Sequence, residues 1–146
     1  MRTLLALLLA GLAISANAAI IDIDNTELAK LSAAGVPVID IRTQPEWEET
    51  GIVPGSHLLT FFDERGKVDP LAWLSKAKAV AQPNEPVIVI CRTGNRTKMV
   101  SQFLSQQSGY ATVYNVRNGI RAWIKDGRQV VPATTAIAAC RAAKAC

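Results

Sequence analysis

The sequence holds a single histidine, His57, in 146 residues. Any Cys–His dyad must therefore draw on that one imidazole. Basic residues outnumber acidic ones, 16 against 12, for a net charge of +4, yet they are scattered rather than gathered in runs. Aromatic residues make up only 5%, and they do not interleave with a basic stripe of the kind that grips nucleic acid. Nucleic acid is therefore not an expected partner, and the mild basic balance better suits a small anion at one site. No internal repeat and no second domain is visible, and the length suits one domain with a sizeable core. The apolar run over residues 4–14 falls short of the roughly 20 residues that a membrane span needs.

That run has the marks of an export leader. Arg2 precedes it, and Ala16-Asn17-Ala18 gives the small-x-small pattern of a signal-peptidase site. The expected organisation is a signal peptide over residues 1–18, a domain over residues 19–132 and an Ala-rich tail over residues 133–146. Cleavage between Ala18 and Ala19 would remove Arg2 and lower the net charge from +4 to +3. Ala19, not a cysteine, stands directly after the cleavage site, so a lipid anchor is not expected, and the mature protein should be periplasmic or secreted and monomeric. Three cysteines remain: Cys91, Cys140 and Cys146. Export favours disulfides, and the odd count leaves one free thiol. Cys140 and Cys146 lie together in the tail, so Cys91 is the expected free one. The tail pair reads either as a stapling disulfide, which would need a non-helical tail, or as a resolving dithiol.

Residues 26–31 read as a helix stopped at Gly35, and residues 36–41 as a buried strand. Pro45 opens a short helix that ends at Gly51, and residues 56–60 read as another short strand. Asp69-Pro70 caps a helix running to about Ala79. Val87-Ile88-Val89-Ile90 is the clearest strand, a β-branched run suited to burial on both faces. A helix follows over residues 97–107, then a strand over 111–116 and a helix over 118–126 closed by Gly127. The tail gives no clear reading as helix or loose end. Alternating β and α segments predict an α/β fold, a mainly parallel sheet with helices on both faces.

Ligands in such sheets bind beyond the carboxyl ends of the strands, and Cys91 stands there, directly after Ile90. The segment Cys91-Arg92-Thr93-Gly94-Asn95-Arg96 joins that strand to the helix near Thr97. A strand–loop–helix of this length turns backbone N–H groups and a helix N-terminus into one small bowl. Gly94 permits the tight curl, and Arg92 and Arg96 add positive charge. All three features favour a thiolate, the nucleophilic form of cysteine. Asp40 and Arg42, at the end of the neighbouring strand, read as a brace for the loop rather than as catalytic groups. Trp47, Trp73 and Trp123 read as core or pocket-wall residues.

The loop and its surroundings resemble the rhodanese (thiosulfate sulfurtransferase) family, in particular its exported single-domain members. Val38-Ile39-Asp40-Ile41-Arg42 resembles the family strand ending in Asp-x-Arg. Glu46-Trp47 with Gly51-Ile52-Val53-Pro54-Gly55-Ser56 resembles the segment E-[YF]…G-H-I-P-G-A. Asn118-Gly119, Trp123 and Gly127 resemble the closing G-G…W…G, and the likeness spans roughly residues 20–131. Ile52 stands where the family usually has His, and Asn118 where it often has Gly. The resemblance implies a single rhodanese-like domain that transfers sulfur without metal or cofactor. Cys91 would take the outer sulfur of a small anionic donor such as thiosulfate and hold it as a persulfide. A thiol or cyanide would then remove it. Residues 92–97 would bind substrate: the amides of Arg92, Thr93, Gly94, Asn95 and Arg96 hold the sulfur, and the two arginines orient the donor.

Two other readings compete. Cysteine-dependent phosphatases use a similar bowl with Cys-x5-Arg, but the residue six after Cys91 is Thr97. The shorter loop suits a single sulfur better than a tetrahedral oxyanion. A sulfur carrier or sensor serving a protein partner would use the same loop.

Overall fold

The run Val87–Ile90 carries no polar residue, and in the computed structural model, which describes residues 18–146, it is a strand buried along its whole length. It lies at the centre of five strands: β1 (Ala19–Ile23), β2 (Val38–Asp40), β3 (His57–Leu58), β4 (Val87–Ile90) and β5 (Thr112–Val116). Their order is β1-β5-β4-β2-β3, and every pairing is parallel. The chain leaves β2 toward β3 at one edge and leaves β4 toward β5 on the other side. The carboxyl ends of β2 and β4 therefore flank the topological switch, where a crevice opens in sheets of this kind. Asp40 pairs with Ile90 across that junction.

Helices cover both faces, as the alternating pattern predicts. On one face α1 (Asn25–Ala33) and α5 (Gly119–Lys125) bury Leu28, Ile120 and Trp123 against Val38, Ile88 and Ile90. On the other, α3 (Pro70–Val80) and α4 (Asn95–Gln102) bury Trp73, Ala77 and Val100 against Ile39, Val87 and Val89. The helix starts are set by local chemistry. The Asp24 carboxylate accepts from the N–H groups of Thr26 and Glu27, and Asp69 accepts from Ala72 with Pro70 just inside the helix. The short helix α2 (Gln44–Thr50) starts where the Glu46 carboxylate reaches back to the Thr43 N–H at 3.1 Å. Among the described residues no helix is long and apolar enough to cross a membrane. The expected leader lies outside the described residues, up to residue 17.

Two features depart from the sequence reading, and a third decides what it left open. The strand β1 was not foreseen: it is an edge strand with Ile20 and Ile21 partly exposed, and it is defined by pairing with β5 rather than by alternation. Helix α4 begins at Asn95, two residues before the expected start, and continues as a π-helical turn over Phe103–Gln107. The tail is helical over α6 (Thr134–Ala142), which packs Ile137 with Trp47, Ile52 and Leu58.

Cys140 and Cys146 are joined in a disulfide with Cα atoms 5.2 Å apart, although Cys140 is helical. A bridge over six residues needs only its second half to leave the helix. Ala142 is the last helical residue, and Lys144 at φ 52° turns the chain back. The expectation that a bridge requires a wholly non-helical tail was too strict. Closing so short a loop is worth about 2 kcal/mol. Reduction is therefore expected to lower the melting temperature by roughly 5–10 °C. Calorimetry with and without dithiothreitol checks this, and a Cys140→Ser/Cys146→Ser variant should show no further change on reduction.

Candidate active site

Cys91 follows β4 directly and is the one free cysteine among the described residues, only 1% exposed. The Gly94 N–H donates to its Sγ at 3.2 Å, and Thr97 Oγ1 lies 3.7 Å from the sulfur. The Thr97 hydroxyl donates to the Gly94 carbonyl at 3.1 Å, which closes the first turn of α4 over the sulfur. A sulfur anion in this place meets a backbone donor and the positive end of a helix.

Two glycines make the bowl possible. Gly94 has φ 95°, and a Cβ there would stand 2.0 Å from the Arg117 carbonyl oxygen. Gly119 has φ 62°, and a Cβ there would stand 2.4 Å from the Arg92 carbonyl. The bare backbone at Gly119 lets α5 touch the loop. The Ile120 N–H donates to the Cys91 carbonyl at 2.9 Å, and the Arg121 N–H to the Arg92 carbonyl at 3.1 Å. Loop and helix start thus satisfy each other's backbone groups. This support was not read from the sequence, although Gly119 opening a helix was its trace.

The other candidates fall into distinct places. Arg92 and Thr93 are exposed on the loop and Asn95 at the first position of α4, and Gly94 and Thr97 are buried beside the sulfur. Among the described residues, Gly94 is the backbone donor aimed at Sγ. Arg96 forms a two-pronged ion pair with Glu46, at 2.8 and 2.6 Å, that ties the start of α4 to α2. Its charge reaches the site from a held position. Asp40 and Arg42 form a wholly buried bidentate pair. Arg42 also donates to the Glu46 and Gly51 carbonyls and to Thr50 Oγ1. Both residues therefore brace α2, and through Glu46 they brace Arg96.

His57 lies in β3 at the register of Ile39 and lines an apolar cavity of about 630 Å3 beside α6 that shares no residue with the loop. A Cys–His dyad is not formed. Ile52 sits in the apolar cluster with Trp47 and Ile137 and pairs with Val131. Trp47, Trp73 and Trp123 are all buried, as a core role requires.

Burial pushes the Glu46 carboxyl up, but the hydrogen bonds from Arg96 and Thr43 and the Arg96 charge outweigh it and hold it at about 2, against an ordinary 4.5. In turn Glu46 raises Arg96, first through their hydrogen bond. The folded Glu46 value lies below the unfolded one, so its stabilisation is complete above about pH 4.5 and is lost as pH falls toward 2. The gap in unfolding free energy between wild type and Glu46→Gln is expected to shrink by about 1–2 kcal/mol from pH 6 to pH 3. Urea titrations at the two pH values measure it.

Fold and site together define a parallel α/β protein built around one buried cysteine at a helix start. The pattern of the rhodanese-like domain matches residues 24–126. A sulfurtransferase of Allochromatium vinosum is 30% identical over 75% of this chain and 94% of its own. A thiosulfate sulfurtransferase of Pseudomonas paraeruginosa is 30% identical over 73% of this chain and 82% of its own. The solved structure of a rhodanese-related protein from Thermoplasma volcanium superposes with a TM-score of 0.58 at 26% identity, over 76% of this chain and 97% of that one. The chain belongs to the rhodanese-like family, and at that level it is a sulfurtransferase.

Proposed function

We propose that the protein moves the outer sulfur of thiosulfate, or of a similar anionic donor, to a thiol or cyanide through a Cys91 persulfide. The Cys91 thiolate attacks the outer sulfur, the sulfur–sulfur bond of thiosulfate breaks, and sulfite leaves with the electron pair. The acceptor thiolate, or cyanide, then attacks that sulfur, and the pair returns to Cys91 as thiolate. No oxidant or reductant is consumed.

The observation that carries this reading is the Gly94 N–H on Cys91 Sγ at the start of α4. A donor fixed in place before reaction stabilises negative sulfur without reorganisation. Arg92, exposed on the loop, would attract an anionic donor, and Arg96, held by Glu46, adds fixed positive charge. The Cys140–Cys146 disulfide supports the export proposed from the leader.

Incubation of the reduced protein with thiosulfate and cyanide is expected to give thiocyanate. With cyanide withheld, one sulfite per Cys91 should appear. A folded, reduced protein that gives neither would overturn small-molecule turnover and favour a carrier serving a protein partner.

A further inference from the structure

The apolar cavity beside α6 lies outside the chemistry of Cys91, because none of its lining residues belongs to the loop. One wall is β3 and the chain before it, with Ile52, Ser56 and Leu58. The other is α6, which lies beyond the residues 24–126 that match the rhodanese-like domain. The sulfur chemistry of that domain therefore gives no account of the space. Its volume of about 630 Å3 falls in the range of roughly 300–1,000 Å3 typical of small-molecule sites.

Packing alone does not explain it either. Ala136, Ala139 and Ala143 line the cavity from the α6 side, at spacings of three and four that share one helix face. Their methyl groups leave open what leucines in those places would fill, and close-packed interiors hold few such voids. The helix is also tied at both ends, so it does not settle onto β3. At its start Val131 pairs with Ile52, and Ile137 is buried with Trp47. At its end the Cys140–Cys146 disulfide closes the tail, and Lys76 Nζ donates to the Cys146 carbonyl at 2.6 Å.

The wall carries no formal charge. Among the described residues, no Lys, Arg, Asp or Glu lines it. Partial burial of the His57 ring lowers its pKa, so it stands neutral at neutral pH. One polar group waits there. Ser56 is only 7% exposed, and its Oγ has no hydrogen-bond partner among the described residues. A buried hydroxyl in that state is costly, and an incoming partner removes the cost.

We propose that this cavity binds an uncharged apolar molecule that carries one hydrogen-bonding oxygen. The oxygen meets Ser56 Oγ, and the apolar body lies between Ile52 and Leu58 on one side and the alanines of α6 on the other. A charged head would lose its hydration and find no counter-charge. The site stands apart from the Cys91 persulfide and does not depend on it.

The test uses the protein with its disulfide intact and 2-naphthol as the probe, followed by backbone amide NMR shifts. Saturable shifts should be confined to residues 55–59 and 131–145. Ala139→Leu fills the cavity and should weaken 2-naphthol at least about tenfold, with the melting temperature unchanged or raised. Ser56→Ala keeps the N–H that donates to the Val53 carbonyl at 3.1 Å. It should weaken 2-naphthol roughly fivefold, the worth of one hydrogen bond, and leave naphthalene unmoved. In wild type 2-naphthoate should bind at least about tenfold more weakly than 2-naphthol. Shifts that do not saturate, or that survive Ala139→Leu in a folded protein, overturn the site. A naphthol-to-naphthalene ratio unmoved by Ser56→Ala overturns the role of the hydroxyl, and decides the matter should Ala139→Leu not fold. Naphthoate binding as tightly as naphthol overturns the uncharged class. Shifts at the same residues that grow with protein concentration alone put a second copy in the cavity and overturn the small ligand.

Discussion

Cys91→Ala is expected to reduce thiosulfate-to-cyanide transfer by at least about a thousandfold, as loss of a covalent nucleophile typically does. The variant should also show no mass gain with thiosulfate and release no sulfite when acceptor is withheld. The structure argues for loss of chemistry rather than loss of fold. Cys91 packs in the cluster with Ile41, Phe61 and Val89, and alanine keeps its Cβ there while removing one sulfur atom. The cavity left is small, worth about 1 kcal/mol. The Cys91 carbonyl would still accept from the Ile120 N–H, and Gly94 would still curl against Arg117. A melt within a few degrees of wild type, beside an activity at background, is the expected pair of readings. Activity retained in this variant would remove Cys91 from the mechanism. Cys91→Ser sharpens the result, because the hydroxyl can occupy the bowl and accept from Gly94 but cannot form a persulfide.

Much of this site was legible in the chain before folding. Four β-branched residues fix β4, Cys91 comes next, and Gly94 marks a turn that bulkier residues cannot make. Asp69-Pro70 announces its helix with equal clarity because cap and helix are neighbours in sequence. What stayed hidden depends on pairs far apart along the chain. Arg96 and Glu46 are 50 residues apart, and no local pattern tells an arginine that will grip a carboxylate from one left free for substrate. The strand β1 draws its identity from β5, and its Ala-Ile-Ile-Asp-Ile follows an apolar leader without a visible break. The contact of Gly119 with Arg92 likewise exists only after α5 has docked. Spacing shows where a backbone bends; it does not show which charge a bend will meet.

Arg42→Ala is expected to lower stability by about 3–5 kcal/mol, because it leaves the buried Asp40 carboxylate without its counter-charge. Asp40 is wholly buried, and its oxygens accept from the Arg42 N–H, Nε and Nη2. The loss is large against the roughly 5–15 kcal/mol that holds a domain together. A drop in urea midpoint of about 2 M would report it. Removing both charges, with Asp40→Leu and Arg42→Met, abolishes the stranded carboxylate and should recover part of the stability. Recovery should stay incomplete, because the Glu46 and Gly51 carbonyls and the Thr50 hydroxyl also lose the Arg42 guanidinium. The same network leads to the nucleophile: Arg42 anchors α2, α2 carries Glu46, and Glu46 holds Arg96 at the start of α4. The double variant should therefore lose activity while remaining folded. That loss should exceed the loss from Glu46→Gln, which frees Arg96 but leaves α2 anchored. Activity in the double variant equal to wild type would confine Asp40 and Arg42 to stability alone.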